Sequence, residues 1–281
     1  MTTLAERLGH PADARLLIIT AAGLGGCHAM NDGVYESIRS GLATGASLQV
    51  PAPWAREAAA RYRGEDVGVE LTLNAEFELY RWAPLTHAPS LLGGDGGFPS
   101  SVADLWDHAD TEEVRRECRA QIERAILWGF DITHLGAHLG ALVPRPELFD
   151  VYLEMAVDFR LPIRLLDPHL GADVGFPAAE IATDEGIVFV DHVVSHHGFV
   201  GNGRYGRAVF ERALLALAPG VTEIQLHPSA DRPEIRAISP DWAERVGDHH
   251  ALTIDAEMRM LVERSGATLI SYASLRAAMR S

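Results

Sequence analysis

The sequence predicts a single barrel-like α/β domain over residues 1–281. Short apolar runs, typical of strands buried on both faces of a parallel sheet, alternate along the chain with segments of helical periodicity. The first apolar run, residues 16–19, is followed by three glycines within four positions and then by a helical pattern. No internal repeat, low-complexity segment or domain linker interrupts this alternation, so one domain is expected.

The first half of the chain begins with the strand at residues 16–19. Asn31 or Asp32 is the expected N-cap of the next helix, because either side chain can accept hydrogen bonds from helix N–H groups. The segment 74–110 is longer than an ordinary connection, which is typical of a lid or a binding loop. The other predicted elements are strands at 45–50 and 67–73, and helices at 55–63 and from 111 to Gly129.

In the second half of the chain, predicted strands and helices continue to alternate. Residues 131–142 form a strand-and-loop junction that contains His134 and His138, and Pro146 begins the next helix. The remaining predicted elements are strands at 161–166, 187–190, 222–226 and 267–270, and helices at 207–217, 258–263 and 275–279.

The acidic composition limits the choice of partners. The formal net charge is −15, from 24 basic and 39 acidic residues, and no local basic patch offsets it. Nucleic acid and anionic membrane surfaces are therefore not expected partners. The expected partner is a small-molecule substrate, and a homo-oligomer is possible. Because the two cysteines form no Cys-x-x-Cys pair and the first apolar run is too short to cross a membrane, a cytoplasmic location is expected.

Polar residues at four predicted strand ends indicate where chemistry could occur. Parallel strands would bring these stretches to one edge of the sheet. A charge in an otherwise apolar strand is costly unless it is paired or used, which makes Glu70 the most informative of these residues. With His138 and His227 it forms a candidate acid–base set, because such groups shift each other's pKa values. The four stretches are residues 20–31, 70–74, 134–138 and 225–228.

Other catalytic and binding motifs are missing from the sequence. It contains no Gly-x-Ser-x-Gly elbow, and its glycine-rich turn matches neither a dinucleotide-binding nor a P-loop pattern. Cys27 lies beside His28 only in sequence, which does not establish a nucleophile and its base. The pairs His196-His197 and His249-His250 lie in polar, loop-like stretches and are assigned to the surface.

Several short motifs occur in a fixed order along the chain. They are the strand and turn before His28 and Asn31, Gly41-Leu-Ala-Thr44 with Ser47-Leu48, Gly68-Val-x-Leu-Thr-Leu73, Tyr80-Arg-Trp-x-Pro-Leu85, Thr133-His-Leu-x-x-His138, His227-Pro228 and Pro240-Asp-Trp242. This set resembles the YdjC/ChbG-type (HpnK-type) carbohydrate deacetylases over nearly the whole chain. The resemblance implies a distorted (β/α) TIM-like barrel and metal-dependent removal of acetyl groups from N-acetylated sugars. Four residues in the matching motifs are assigned to substrate binding: His28, Asn31, Tyr80 and Trp82.

The metal-site residues that the resemblance implies are largely replaced in this chain. An Asp-Asp pair that supplies a base and a ligand falls on Ala22-Gly23, a ligand histidine falls on Glu70, and an aspartate falls on Gly136. Of the expected groups, His138 remains as a ligand and His227 as an acid. Ala22 and Gly23 offer no side-chain donor, and two ligands are fewer than the roughly three of a catalytic zinc site. No metal cofactor is therefore expected; Glu70 and His138 would be the ligands if one binds.

Three functions are compatible with these residues. The favoured one is a metal-independent acid–base enzyme, an isomerase, lyase or cyclase that acts on a small molecule through Glu70, His138 and His227. The first alternative is a residual de-N-acetylase whose zinc or other divalent metal is held by Glu70, His138 and a third ligand such as Asp32. The second is a non-catalytic protein that binds a small molecule and is stabilised by it without turnover.

Overall fold

A computed structural model describes residues 2–165, 175–194 and 206–281 of the chain. Its strands are β1 (Arg15–Leu24), β2 (Gly45–Leu48), β3 (Val67–Leu71), β4 (Ile132–Ala137), β5 (His192–Val194), β6 (Gly220–Leu226) and β7 (Thr268–Leu269). They form one curled parallel sheet in the order β4-β3-β2-β1-β6-β5, and β7 pairs with β1. The chain is thus a single α/β domain, as the sequence predicts.

Most helices lie between successive strands, and they pack on the sheet and on one another. No helix within the described ranges is long and apolar enough to cross a membrane. The helices are α1 (Leu4–Arg7), α2 (His28–Arg39), α3 (Ala55–Arg61), α4 (Val102–His108), α5 (Thr111–Leu127), α6 (Pro146–Phe159), α7 (Ala178–Asp184), α8 (Gly206–Leu215), α9 (Pro233–Ile238), α10 (Trp242–Thr253), α11 (Ala256–Arg264) and α12 (Tyr272–Arg280).

β1 is the central strand of the sheet. All of its residues after Arg15 are buried, and it pairs with β2 on one side and β6 on the other. The strand predicted at 16–19 continues to Leu24 because Thr20 and the small residues that follow it are buried as well. The carboxyl end of β1 therefore lies beside those of its two neighbours.

Beyond β4 the sheet continues through irregular chain. Leu135 in β4 forms a bridge to Ile163, whose N–H donates to the Val188 carbonyl oxygen at 3.0 Å. Strands were predicted at 161–166 and 187–190. Both segments lie beside the sheet without forming regular strands, and residue 166 lies outside the described ranges. The observed architecture is a curled half-barrel, and its closure into a complete barrel stays a prediction.

Most helix predictions are confirmed, with small changes at the ends. Five helices, α1, α4, α7, α9 and α10, were not predicted, and α4 lies in the segment 74–110 that was interpreted as a loop. The pair His249-His250, assigned to a loop-like stretch, lies instead on α10. His249 Nε2 contacts Glu36 Oε2 at 2.8 Å, which ties α10 to α2.

The expected cap of α2 was wrong. The helix begins at His28 with Cys27 as N-cap, so Asn31 and Asp32 lie inside it. Asn31 Oδ1 accepts a hydrogen bond from the Gly25 N–H at 2.7 Å, and its amide donates to a carbonyl oxygen of the loop before α3 at 3.1 Å. Asn31 therefore holds the glycine turn in place instead of capping the helix.

The long segment 74–110 packs on the domain and does not form a free lid. Trp82 is 4% exposed, and its Nε1–H donates to the Asn74 carbonyl oxygen at 2.9 Å. The segment ends in α4. Its first part supplies Glu76 and Phe77 to the cavities described below, so the prediction of a binding loop agrees with its position.

Gly33 sets the distance between α2 and the chain that follows β6. A Cβ at this position would lie 2.6 Å from Ser229 Cα, which is backbone and cannot rotate away. We expect Gly33→Ala to lower the free energy of unfolding by ~1–3 kcal/mol through overpacking, despite the better helix propensity of alanine. Denaturant titration checks this against Gly94→Ala, where no heavy atom lies within 4 Å of the new Cβ. Equal stability of the two variants would contradict it.

Candidate functional site

The carboxyl ends of the strands enclose a cavity of about 70 Å³, here called the inner cavity. Residues at or just after the carboxyl ends of β1, β2, β3, β4 and β6 contribute to it. The sequence-based expectation that Glu70, His138 and His227 meet is fulfilled, because all three line this cavity. Their catalytic roles stay predictions. The other strand-end residues in its wall are Ala22, Gly23, Gln49, Ala137 and Gln225.

Glu70 in β3 forms a buried ion pair with Arg164. Arg164 Nη2 donates to Glu70 Oε1 at 2.5 Å, and the two side chains are only 10% and 6% exposed. Burial opposes the ionisation of Glu70, but the Arg164 charge, aided by His138, lowers the pKa of the Glu70 carboxyl overall. Glu70 is therefore held as a carboxylate, and this geometry does not favour the proton-transfer role that sequence analysis gave it.

Gly136 leaves the space that the Glu70–Arg164 pair occupies. It lies opposite Glu70 in the register between β3 and β4. A Cβ at this position would lie 3.2 Å from Arg164 Nη2 and 3.3 Å from Glu70 Oε2. Any other side chain would press on the ion pair, so the glycine and the pair are sterically matched.

His138 is held between Glu76 and Gln49. Its Nε2 lies 3.0 Å from Glu76 Oε2, and its Nδ1 lies 3.0 Å from Gln49 Nε2. Burial disfavours the imidazolium, but the Glu76 carboxylate and its hydrogen bond raise the pKa of His138 overall. Burial likewise opposes ionisation of Glu76, and His138 lowers the pKa of that carboxyl overall. The two groups can share a proton inside the cavity, which suits acid–base chemistry.

A second cavity of about 770 Å³, here called the outer cavity, shares part of its wall with the inner one. It also contacts the aromatic side chains of Tyr80 and Trp242. The two cavities together offer a small polar end and a larger end with aromatic walls. The shared residues are Glu76, Phe77, Leu139, His227 and Arg245.

The four residues assigned to substrate binding lie in different places. Tyr80 lines the outer cavity. Trp82 is buried and lines neither cavity, and Asn31 is fully buried within the contacts of α2. His28, on α2, contacts Glu57 Oε1 at 3.3 Å and also lies outside both cavities. Tyr80 is thus the one of these four that is placed to touch a ligand in either cavity.

Among the residues of the inner cavity that sequence analysis missed are Arg164, Glu76 and Gln49. Arg164 carried the same signal as Glu70, because it is a single charge in an apolar run. Glu76 and Gln49 gave no comparable signal, since each follows a strand in a stretch where polar residues are ordinary. Their contacts with His138 depend on the fold.

Comparison with known proteins identifies the family. Residues 16–264 match the family described as YdjC-like protein. The chain belongs to the YdjC-like family. A carbohydrate deacetylase from Thermus thermophilus is 37% identical, covering 92% of this chain and 94% of that relative, and one from Thermoanaerobacter pseudethanolicus is 27% identical, covering 93% and 100%. A crystal structure of an Enterococcus faecalis protein, 23% identical, superposes with a TM-score of 0.81 over 93% of this chain and 99% of that one, which shows a shared fold.

These YdjC-like relatives overturn the function that sequence analysis favoured. The relatives that match almost the whole chain are carbohydrate deacetylases. Nothing in the comparisons supports a metal-independent isomerase, lyase or cyclase, and that interpretation was wrong. The family resemblance itself is confirmed. The relatives agree better with the first alternative, the removal of an acetyl group from a sugar.

The described residues do not fit the metal site that the YdjC-like family resemblance implies. Within the described ranges, no three His, Cys, Asp or Glu side chains cluster closely enough to hold a metal ion. Glu70 already binds the Arg164 guanidinium, whose charge repels a cation. Asp32, suggested as a third ligand, pairs instead with Arg232 at 2.8 Å. His196-His197 lies outside the described residues.

The buried carboxyl of Asp248 is expected to make the free energy of unfolding of this YdjC-like protein depend on pH. The side chain is buried beneath His227, whose backbone N–H donates to Asp248 Oδ2 at 2.9 Å. Burial raises the pKa of the Asp248 carboxyl from 3.8 to about 7. Between these two pH values the folded state binds one proton more than the unfolded state. The free energy of unfolding therefore falls as the pH rises from 3.8 through about 7.

We expect Asp248→Asn to flatten this dependence, because the amide keeps an acceptor for His227 but does not ionise. Between pH 5 and pH 8 the free energy of unfolding should fall by ~1–3 kcal/mol more in the wild type than in the variant. Denaturant titrations of both proteins at the two pH values measure this. Parallel pH profiles would contradict the prediction.

Proposed function

We propose that this YdjC-like protein is a carbohydrate deacetylase that removes the acetyl group from the nitrogen of an N-acetylated sugar. The observation that carries the proposal is the 37% identity to a Thermus thermophilus carbohydrate deacetylase over 92% of this chain. The position of the inner cavity supports it, because ligand sites in parallel α/β folds lie at the carboxyl ends of the strands.

Hydrolysis of an acetamido group needs a proton acceptor for the attacking water and a proton donor for the leaving nitrogen. The water oxygen bonds to the acetyl carbon, the C–N bond breaks, and acetate and a free amino sugar leave. We assign the acceptor role to the Glu76 carboxylate, which lines both cavities and which His138 holds ionised across 3.0 Å. We assign the donor role to His227, which lines both cavities.

The outer cavity is the proposed place of the sugar itself. Tyr80 and Trp242 lie in its wall, and aromatic rings give large contact areas with a ring-shaped ligand. An acetamido group attached to that sugar would enter the inner cavity beside the residues that line both cavities.

The experiment is to incubate the purified protein with N-acetylglucosamine and N-acetylmannosamine and to quantify acetate and free amine. Equimolar release of both products from at least one sugar is expected. Glucose, which has no acetyl group, serves as the blank. Stabilisation of the protein by these sugars without release of acetate would contradict the proposal and favour a non-catalytic binding protein instead.

A further inference from the structure

The ion pair in the inner cavity has two polar atoms without partners. Arg164 Nη1 and Glu70 Oε2 are buried and form no hydrogen bond with any residue that the structure describes, although both residues line the cavity. The Ser47 hydroxyl lies near enough to favour the ionised form of Glu70, yet it makes no hydrogen bond of ordinary geometry with Oε2. Buried charged groups with an unused donor or acceptor are uncommon and call for an explanation.

Arg164 differs in this respect from the other cationic side chains of the inner cavity. Both ring nitrogens of His138 are engaged, by Glu76 and Gln49. Arg245 Nε donates to Asp241 Oδ1 at 3.0 Å. Among the described residues of this cavity, Arg164 is the one that combines a positive charge with a buried, unused N–H donor.

Arg164 is also fixed in position and in charge. Glu70 holds its Nη2, and Gly136 gives the pair the room that a Cβ would take. Burial opposes the charge of Arg164, but Glu70 and Glu223 raise its pKa overall, so it stays protonated. A rigid, desolvated donor of this kind stabilises negative charge on a ligand oxygen more strongly than a mobile surface group does.

We propose that Arg164 Nη1 donates a hydrogen bond to the carbonyl oxygen of the substrate's acetyl group. This inference rests on the proposed function. When water adds to the acetyl carbon, the carbonyl π electrons move to that oxygen, and the Arg164 charge stabilises them until the C–N bond breaks. Arg164 is then a catalytic residue, and Glu70 is a positioning residue that holds it. The neutral acetyl group thus meets a cation supplied by the chain itself.

Arg164→Lys tests the proposal because lysine keeps the charge and can still pair with Glu70, but lacks the second nitrogen of the guanidinium fork. Loss of one such donor is expected to lower kcat for N-acetylglucosamine at least ~100-fold, with a much smaller change in KM. Arg276→Lys is the matched control, since Arg276 pairs at 2.6 Å with a carboxylate that is exposed, that of Asp131. It should leave both constants unchanged.

The outcomes separate this inference from the proposed function. If the wild type releases acetate and Arg164→Lys has the same kcat, the role of Arg164 is overturned and the deacetylase proposal stands. A loss confined to KM also overturns it, because the donor would then act equally on ground and transition states. If the wild type releases no acetate from any N-acetylated sugar, both proposals fail.

A measurement on the wild type covers the case in which Arg164→Lys does not fold, as judged by circular dichroism. N-acetylglucosamine labelled with ¹³C at the acetyl carbonyl is titrated with protein and followed by NMR, where released acetate gives a separate signal. A downfield shift of the bound carbonyl is expected from a charged hydrogen bond. An unchanged carbonyl shift upon binding overturns the proposal and leaves ordered water as the partner of Nη1.

Discussion

Glu70→Gln is expected to lower the free energy of unfolding by about 3 kcal/mol, the lower end of what breaking a buried ion pair costs. The substitution preserves shape and removes only the negative charge, so the Arg164 guanidinium is left buried without its carboxylate. Glu223 lies near Arg164 and compensates part of the loss, which places the expected value at that lower end. Denaturant titration at pH 7 measures this loss. The slope of the free energy of unfolding against denaturant concentration should be the same in both proteins.

Asp131→Asn is the matched control for this prediction. Its carboxylate also faces an arginine, Arg276, at 2.6 Å, but the Asp131 side chain is 74% exposed. Surface ion pairs of this kind contribute ~0–1 kcal/mol. The difference between the two variants therefore reports the burial of the Glu70–Arg164 pair. If Glu70→Gln and Asp131→Asn lowered the free energy of unfolding by the same small amount, the buried Glu70–Arg164 pair would not stabilise the fold more than a surface pair does.

His138→Asn is expected to reduce the rate of acetate release by ~10²- to 10⁴-fold, the range for the loss of a positioned acid–base group. The asparagine amide can replace one of the two contacts that hold the imidazole, so the cavity should keep its shape. It cannot carry the positive charge that keeps Glu76 ionised as the acceptor of the proton that the attacking water loses. Initial rates at saturating N-acetylglucosamine, with circular dichroism to verify folding, measure the effect.

His249→Asn provides the control for His138→Asn. His249 also contacts a glutamate, Glu36, at 2.8 Å, but this pair joins two helices away from both cavities. Its loss should leave the rate of acetate release unchanged. A His138→Asn enzyme that works at the wild-type rate would remove His138 from the mechanism, whatever the result for His249.

The sheet and the meeting of Glu70 with His138 could be predicted from the sequence because both depend on local patterns. Apolar runs fix the strands, and parallel strands place their carboxyl ends together, so polar residues at those ends converge. The helix that begins at residue 111 followed from its acidic first turn and its apolar stripe, and α5 confirms it.

The partners of these residues could not be predicted, because they come from distant parts of the chain. Arg164 reaches Glu70 only because the segment around Ile163 lies beside β4. His134 and His138 illustrate the same limit, since they occur in one motif. His134 stacks on Tyr272 with ring centres 3.8 Å apart, and burial lowers its pKa to about 3, whereas the pKa of His138 is raised by Glu76 despite burial.

Two further errors have identifiable physical causes. Asn31 is a strong capping residue by type, but the N–H group that it binds belongs to Gly25 of the preceding turn. Glu223 is a buried carboxylate that sequence analysis did not single out, although it lies in an apolar strand as Glu70 does. Hydrogen bonds from Thr20 and Tyr272 satisfy it at 2.6 and 2.7 Å. A polar residue in an apolar strand therefore indicates a buried partner, which is not always a substrate.

The most direct test is the rate of acetate release from N-acetylglucosamine before and after exhaustive treatment with a metal chelator. If Arg164 is the cation of the deacetylase cavity, acetate is released at the same rate in both samples, with no gain on adding zinc. Release that the chelator abolishes and zinc restores would contradict it, because a metal ion would then supply the positive charge assigned to Arg164. Absence of release in every sample would contradict the deacetylase function itself.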